Sequence, residues 1–343
     1  MSPKPVVADP LERLRAAGYP VTHEVGRGME GVVAALDEER VVKVWDRRPR
    51  AEVDRLRAFY DAVHDGLVEA GVGLAVPRIL DVGEVDGLVV TVHPLLPGRA
   101  EVDAGPGPVV EVLAGLSQVP VHPDMAVLPV PDGERPFDPS VPFGVSMAEL
   151  VLRRAVLLGD LLPDGVADRM AEALRAVPPV PACLVHGDLG PVHVLLDGGR
   201  PVGLLDFGYV STLGDPAFDA AVAACLQDMF GPGAAAATTA LDDLAVRRLG
   251  HDPAVLVLYR AAYGLVTASC LVGHPGRHLD WCLDLVATWA GAYYVPCTRH
   301  VSGFLPLDWR IEGDMSDTCT GPAPAGAPLG GATVRGARRR TCR

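Results

Sequence analysis

The segment HGDLGPVHVLLDGGRPVGLLDFG, from His186 to Gly208, carries the side chains best placed to do chemistry. Asp188 follows the apolar stretch LVH, His193 comes five residues later, and Asp206 ends the apolar run PVGLL and enters a glycine-containing turn. A carboxylate in a loop can accept a proton from a reacting hydroxyl. A second carboxylate at a strand end, with an imidazole between the two, can hold a divalent cation. Asp197, Gly198 and Gly199 read as a tight hairpin turn, so the strands on either side can fix both carboxylates. A base and cation ligands on neighbouring strand ends suit phosphoryl transfer, which needs an attacking hydroxyl, a γ-phosphate and a metal held nearly in line. Taken singly, each aspartate could equally be a turn or cap residue.

The N-terminal part offers what such chemistry needs for phosphates. EVGRGMEGVVAALD, from Glu24 to Asp37, places Gly26, Gly28 and Gly31 between two apolar runs. Glycines let backbone N–H groups approach phosphate closely, although an ordinary hairpin turn accounts for them as well. VVKVW then puts Lys43 on the next strand. The chain has only two lysines, Lys4 and Lys43, among 30 basic residues, and no asparagine, so a lysine inside an apolar strand invites a chemical reason. Such an ammonium needs a partner, and Glu52 on the following helix could supply it. The alternative is a Lys43 that snorkels at a sheet edge and a solvated Glu52.

The surrounding pattern supplies elements to position these residues. LERLRAAG (residues 11–18) reads as a short helix. The runs VTHEVG, GVVAALD, RVVKVW, LDVGEV and LVVTVHPLL alternate with period two, and RAEVDRLRAFYDAVHDGLVEAG between the third and fourth has helical spacing. This predicts a small α+β lobe over residues 1–97, closed by LLPGRA. A larger, mostly helical lobe is expected over 98–312. It would begin with loops and helix fragments as far as residue 145 and hold helices to about Tyr294. Asp215 is the expected N-cap of one of them, with Pro216 at its first position. The Gly/Pro/Ala-rich end, 313–343, reads as a disordered tail.

Composition narrows the function classes. A formal net charge of −13 argues against a nucleic-acid partner and is compatible with a cationic small molecule or simply with solubility. Seven scattered cysteines without a CxxC pair point to a reducing, cytoplasmic location, without a disulfide framework or zinc motif. MSPKPVVADP lacks the apolar region of a signal peptide. The most membrane-like stretch, Val255–Gly273, contains Arg260, so it reads as a buried core helix and no membrane partner is expected. His274, His278 and Cys282 have helical spacing, but Pro275 and Gly276 interrupt them and no fourth ligand is evident. Asp280 and Asp284, near Trp281 and Trp289, could receive a cationic or sugar-bearing ligand or simply be solvated.

HGDLGPVHVLL, VGLLDFG and GDPAFDAA together resemble the aminoglycoside phosphotransferase family, whose pattern reads HGDLHxxN, then IDFG or IDWG, then GDPxxDLA. LLPGRA resembles that family's hinge end, and the similarity spans roughly residues 20–295. The resemblance implies a two-lobed protein-kinase-like α+β fold and transfer of a γ-phosphoryl from ATP or GTP to a hydroxyl of a small molecule, an antibiotic or related natural product. It makes Asp188 the catalytic base, Asp206 a Mg²⁺ ligand, Lys43 the phosphate ligand and Glu52 its ion-pair partner. Gly26, Gly28 and Gly31 would cover the phosphates, and the stretch with Thr91, His93 and Leu95 would be the hinge beside the base. Asp215 and Asp219 would support the catalytic loop. His193 stands where the family usually has Asn; the macrolide phosphotransferase branch is similar in carrying His at this place. An imidazole there would favour Mn²⁺ over Mg²⁺ as the second ligand's partner. Two other readings are a primary-metabolite kinase acting on choline, homoserine or a sugar-amine, and an inactive nucleotide-binding module.

Overall fold

The alternating runs become strands because their apolar positions fall on the two faces of one sheet. In the computed structural model, which describes residues 9–28, 30–46, 48–131 and 135–292, these strands are β1 (Glu24–Gly28), β2 (Gly31–Ala35), β3 (Arg40–Trp45), β4 (Asp81–Val85) and β5 (Leu88–Pro94). They form an antiparallel sheet of order β1-β2-β3-β5-β4. Val32, Ala34, Val42, Val44, Val90 and Val92 bury its outer face under Leu11 and Leu14 of α1 (Pro10–Ala16). The inner face, one residue out of phase, carries Lys43, Trp45, Thr91 and His93.

Against that inner face lies α2 (Arg50–Glu69), whose Val53, Leu56, Phe59, Val63 and Leu67 recur at helical spacing and are buried. Each such side chain contributes about 1.5–3 kcal/mol by leaving water. A buried polar chain crosses the same face: Trp45 Nε1 donates to Thr91 Oγ1 (2.8 Å), Thr91 Oγ1 bonds His93 Nε2 (2.7 Å), and His93 Nδ1 bonds the Pro77 carbonyl (2.8 Å). Nδ1 must carry the proton to donate to a carbonyl, so Nε2 accepts from the threonine hydroxyl.

The rest of the described chain holds short strands among helices. β6 (Arg99–Ala100), β8 (Val194–Asp197) and β9 (Arg200–Leu204) form one small sheet, and β7 (Cys183–Val185) pairs with β10 (Thr212–Gly214). The helices are α3 (Pro106–Leu116), α4 (Phe143–Leu158), α5 (Val166–Arg175), α6 (Pro216–Leu226), α7 (Ala234–Leu244), α8 (Pro253–Cys270) and α9 (Arg277–Ala292). Asp215 caps α6 by accepting from Ala217 N–H (2.9 Å), with Pro216 in the first turn. Helix α8 is long and apolar enough to cross a membrane, yet 67% of it is buried inside the fold. Its Arg260 is paired with Asp242 of α7 (2.5 Å), which is how a charge is tolerated there. The segment after α2 joins the strand regions: Ala75 N–H donates to Val202 O and Leu204 N–H to Ala75 O, both 2.9 Å. The tail expected over 313–343 lies outside the described residues.

Burial lowers the His93 ring from 6.5 to about 4, so it stays neutral in the fold while the unfolded chain protonates it. Its contribution to stability is complete above about pH 6.5 and is lost as pH falls toward 4. We expect His93→Gln to reduce proton uptake on unfolding by about one in that window, seen as a flatter pH dependence of the urea midpoint.

Candidate active site

One buried carboxylate organises the loop that carries Asp188. Asp219 of α6 accepts from the His186 N–H (2.6 Å) and the Gly187 N–H (2.8 Å), just past the end of β7. Gly187 has φ +87°, and a Cβ there would lie 2.4 Å from the Val210 carbonyl carbon, so only glycine fits. Ser211 Oγ donates to the His186 carbonyl (2.5 Å) and accepts from Gly208 N–H (2.8 Å), tying the Asp188 loop to the Asp206 turn. His186 Nε2 bonds the Leu205 carbonyl (2.7 Å) while Nδ1 accepts from Asp188 N–H (3.2 Å), which requires the neutral ring protonated on Nε2. Burial holds that ring neutral, lowering it to about 3.

The hairpin turn is as expected: Gly198 and Gly199 have φ +55° and +79° between the paired Asp197 and Arg200. It returns the chain to Asp206, which has φ +58°. Among the described residues the only other non-glycine with positive φ is Asp86, in a strand turn. A left-handed Asp costs of order 1–3 kcal/mol, a strain that clusters at functional sites. His193 stands between the two aspartates: its Nδ1 bonds the Asp188 carbonyl (2.8 Å) and its Nε2 lies 3.5 Å from Asp206 Oδ2. With Nδ1 donating to the carbonyl, a neutral ring presents its Nε2 lone pair on the Asp206 side. Two lone-pair donors at that separation fit a shared divalent cation of the Mg²⁺ or Mn²⁺ type. Among the described residues no group of three or more His, Cys, Asp or Glu could hold a metal.

On the other side, β1 pairs with β2 so that Gly28 faces Gly31. Gly26 and Gly28 therefore lie within β1 and not in the turn itself. A Cβ on Gly31 would meet the Val44 carbonyl oxygen at 1.8 Å, so sheet packing alone demands that glycine. A Cβ on Gly26 or Gly28 would meet nothing within 4 Å, so no protein contact explains those two. The Lys43 ammonium pairs with Glu30 (3.1 Å), and the expected pairing with Glu52 is not formed. The reason is the register: Asp46 N–H bonds the Glu30 carbonyl (3.0 Å), which brings the turn over the end of β3, whereas Glu52 sits in the first turn of α2. Thr91 and His93 have their side chains engaged in the buried polar chain, and Leu95 N–H donates to Glu39 O (2.6 Å). Thr91 and His93 are buried on β5 between its neighbours, so neither side chain is free to meet a nucleotide base.

Several neighbours of these residues carry no local sequence signal. The Tyr263 hydroxyl of α8 donates to Asp188 Oδ1 (2.6 Å). Tyr263 makes edge contacts with Tyr209 (centroids 6.2 Å) and Trp281 (6.4 Å), and Trp281 with Phe230 (6.2 Å). These rings form an aromatic wall beside the Asp188 carboxylate. Asp280 and Asp284 are exposed on α9, Trp289 is buried, and His274 precedes that helix. Phe207 packs against Phe59, Tyr60 and His186, joining α2 to the Asp206 turn.

Asp219→Ala would leave two buried N–H groups without an acceptor, at about 1–3 kcal/mol each. We expect it to lower the unfolding free energy by about 2–5 kcal/mol in urea titrations and to speed amide exchange at His186 and Gly187.

Comparison with known proteins bears on the family and the fold. The phosphotransferase enzyme family (APH) matches residues 23–256. No curated protein sequence matches the chain. Among solved structures, a thermostable mutant of aminoglycoside phosphotransferase APH(4)-Ia in its apo form is 18% identical. The likeness covers 83% of this chain and 99% of that one, with a TM-score of 0.61. The GDP complex of aminoglycoside 2'-phosphotransferase-IIIa is 15% identical, covering 83% and 98% at a TM-score of 0.56. Macrolide 2'-phosphotransferase MphH from Brachybacterium faecium is 18% identical, covering 80% and 97% at a TM-score of 0.54. At these identities the likeness shows the kinase-like fold. With the family match covering residues 23–256, the chain belongs to the phosphotransferase enzyme family and is a phosphotransferase acting on alcohol groups.

Proposed function

We propose that the protein transfers the γ-phosphoryl group of ATP or GTP to a hydroxyl of a small natural product of the antibiotic class. The observation that carries this reading is the meeting of the Asp188 main chain and the Asp206 carboxylate at His193, with the Asp188 carboxylate held by Tyr263 beside an aromatic wall. The acceptor hydroxyl lies against the Asp188 carboxylate, which takes its proton as oxygen attacks phosphorus and the bond to the nucleoside diphosphate breaks. Tyr263 orients that carboxylate through its hydroxyl. Lys43 binds phosphate oxygens, with the N–H groups of the Gly26–Gly31 strand turn above them. Asp206 and His193 Nε2 would hold Mg²⁺ or Mn²⁺, which when bound neutralises charge on the phosphates.

Relatives of the same fold support a nucleotide and a small-molecule acceptor: one was solved with ADP and hygromycin B, another with GDP and kanamycin. Here the side chains gathered beside Asp188 are aromatic, which favours an acceptor presenting apolar ring or sugar faces. The placement of the His193 ring between the Asp188 main chain and the Asp206 carboxylate supports an active enzyme over an inactive module. The free cysteines among the described residues, Cys183, Cys225, Cys270 and Cys282, support a cytoplasmic location.

The test is nucleotide consumption with hydroxylated macrolides and aminoglycosides, against choline and homoserine as controls. Consumption with choline or homoserine alone would move the reading to primary metabolism. Asp188→Asn should retain nucleotide binding while turnover drops roughly 10²–10⁴-fold. Replacing the imidazole ligand, His193→Asn, should lower the ratio of Mn²⁺- to Mg²⁺-supported rates, measured at saturating metal.

A further inference from the structure

A second cation, Arg48, shares the partner of Lys43. The Glu30 carboxylate bonds Lys43 through Oε2 (3.1 Å) and Arg48 through Oε1. Both cations rest over one indole: Lys43 Nζ is 3.7 Å and Arg48 Cζ 4.9 Å from the Trp45 ring centroid. Trp45 is itself pinned through Thr91 and His93, so the platform is rigid. The Arg48 guanidinium also reaches the Asp206 turn, since its nitrogens lie 3.7 and 3.9 Å from where a Gly208 Cβ would stand. The two cationic side chains are largely covered, at 17% and 18% exposure, whereas Glu30 is 47% exposed.

Two largely covered cations that share one carboxylate have unused donors. Arg48 alone presents five N–H groups in a fork suited to phosphate. The acid comes from the tip of the glycine turn and not from α2, where Glu52 makes no such contact. It therefore stands in the space between the turn, Lys43 and the Asp206 turn, where a polyphosphate would have to lie.

We propose that Arg48 is a phosphate ligand alongside Lys43, and that Glu30 is a resident carboxylate which the triphosphate displaces from both. This rests on the nucleotide-dependent reading given above. On phosphate binding, Lys43 and Arg48 exchange the carboxylate for phosphoryl oxygens, and Glu30 swings into water with the turn. The trade explains why the acid is the exposed member of the trio. It also makes the nucleotide's affinity a difference between two charge-assisted contacts.

The test is calorimetric binding of ADP, inorganic tripolyphosphate and adenosine to the purified full-length protein with Mg²⁺, for wild type, Glu30→Gln, Arg48→Ala and Arg48→Lys. Glu30→Gln should tighten ADP and tripolyphosphate by about two- to fivefold, the value of a partly exposed ion pair. Arg48→Ala should weaken both by about ten- to a hundredfold, with Arg48→Lys between, because charge-assisted hydrogen bonds are lost. Adenosine affinity should be the same in all four proteins. Weaker ADP binding by Glu30→Gln would make Glu30 a permanent positioning partner of Lys43 and overturn the displacement. Unchanged ADP and tripolyphosphate affinity in Arg48→Ala, with its thermal transition intact, would remove Arg48 from the phosphate site. Absence of nucleotide binding by the wild type would instead overturn the phosphotransfer reading on which the proposal rests.

Discussion

The Asp219 carboxylate accepts hydrogen bonds from two consecutive backbone N–H groups, and the working loop hangs from that contact. Burial pushes this carboxyl up to about 7, against the pull of its two donors. A helix residue thus holds the end of β7 in a shape that His186 and Ser211 then extend toward Leu205 and Gly208. Each bond in this series uses a main-chain group that would otherwise be buried without a partner. Positioning Asp188 is therefore a by-product of satisfying backbone polarity around it.

A comparable economy operates in the N-terminal sheet. The hydrogen-bonded series from Trp45 through Thr91 and His93 to the Pro77 carbonyl lies on the inner face, beneath the two cations. Apolar side chains at those positions would pack, but they would not fix the indole's orientation. The series fixes it, and the indole in turn gives Lys43 and Arg48 a common surface. Phe207 completes the join by packing between α2 and His186, so the cation side and the carboxylate side of the site share one hydrophobic contact.

Residues whose partners lie close in the chain were legible from sequence. The hairpin at Gly198–Gly199, the cap at Asp215 and the strand carrying Lys43 depend on local rules of turn geometry, helix capping and alternation. The reading of α8 as a core helix also held, since an arginine inside an apolar run needs a protein partner and Asp242 supplies it. Sequence order suggests Glu52 of the next helix as the partner of Lys43, whereas strand register brings the glycine turn nearer. Tyr263 and Arg48 were missed for a related reason: nothing local distinguishes a tyrosine in an apolar helix, or one arginine among so many, from its neighbours.

Sequence alone determined the side chains available: two carboxylates, an imidazole between them, a lysine on a strand and glycines before it, each in an order that short-range geometry could translate into place. It did so because carboxylate, imidazole and ammonium reactivity are properties of side chains, and turns and strands are properties of neighbouring residues. Tertiary structure alone decided the partnerships, namely Glu30 with Lys43 and Arg48, Tyr263 with Asp188, and the aromatic wall with both. Those contacts join residues far apart in the chain, and which of them meet depends on how the sheet's register and the helices' burial are satisfied together.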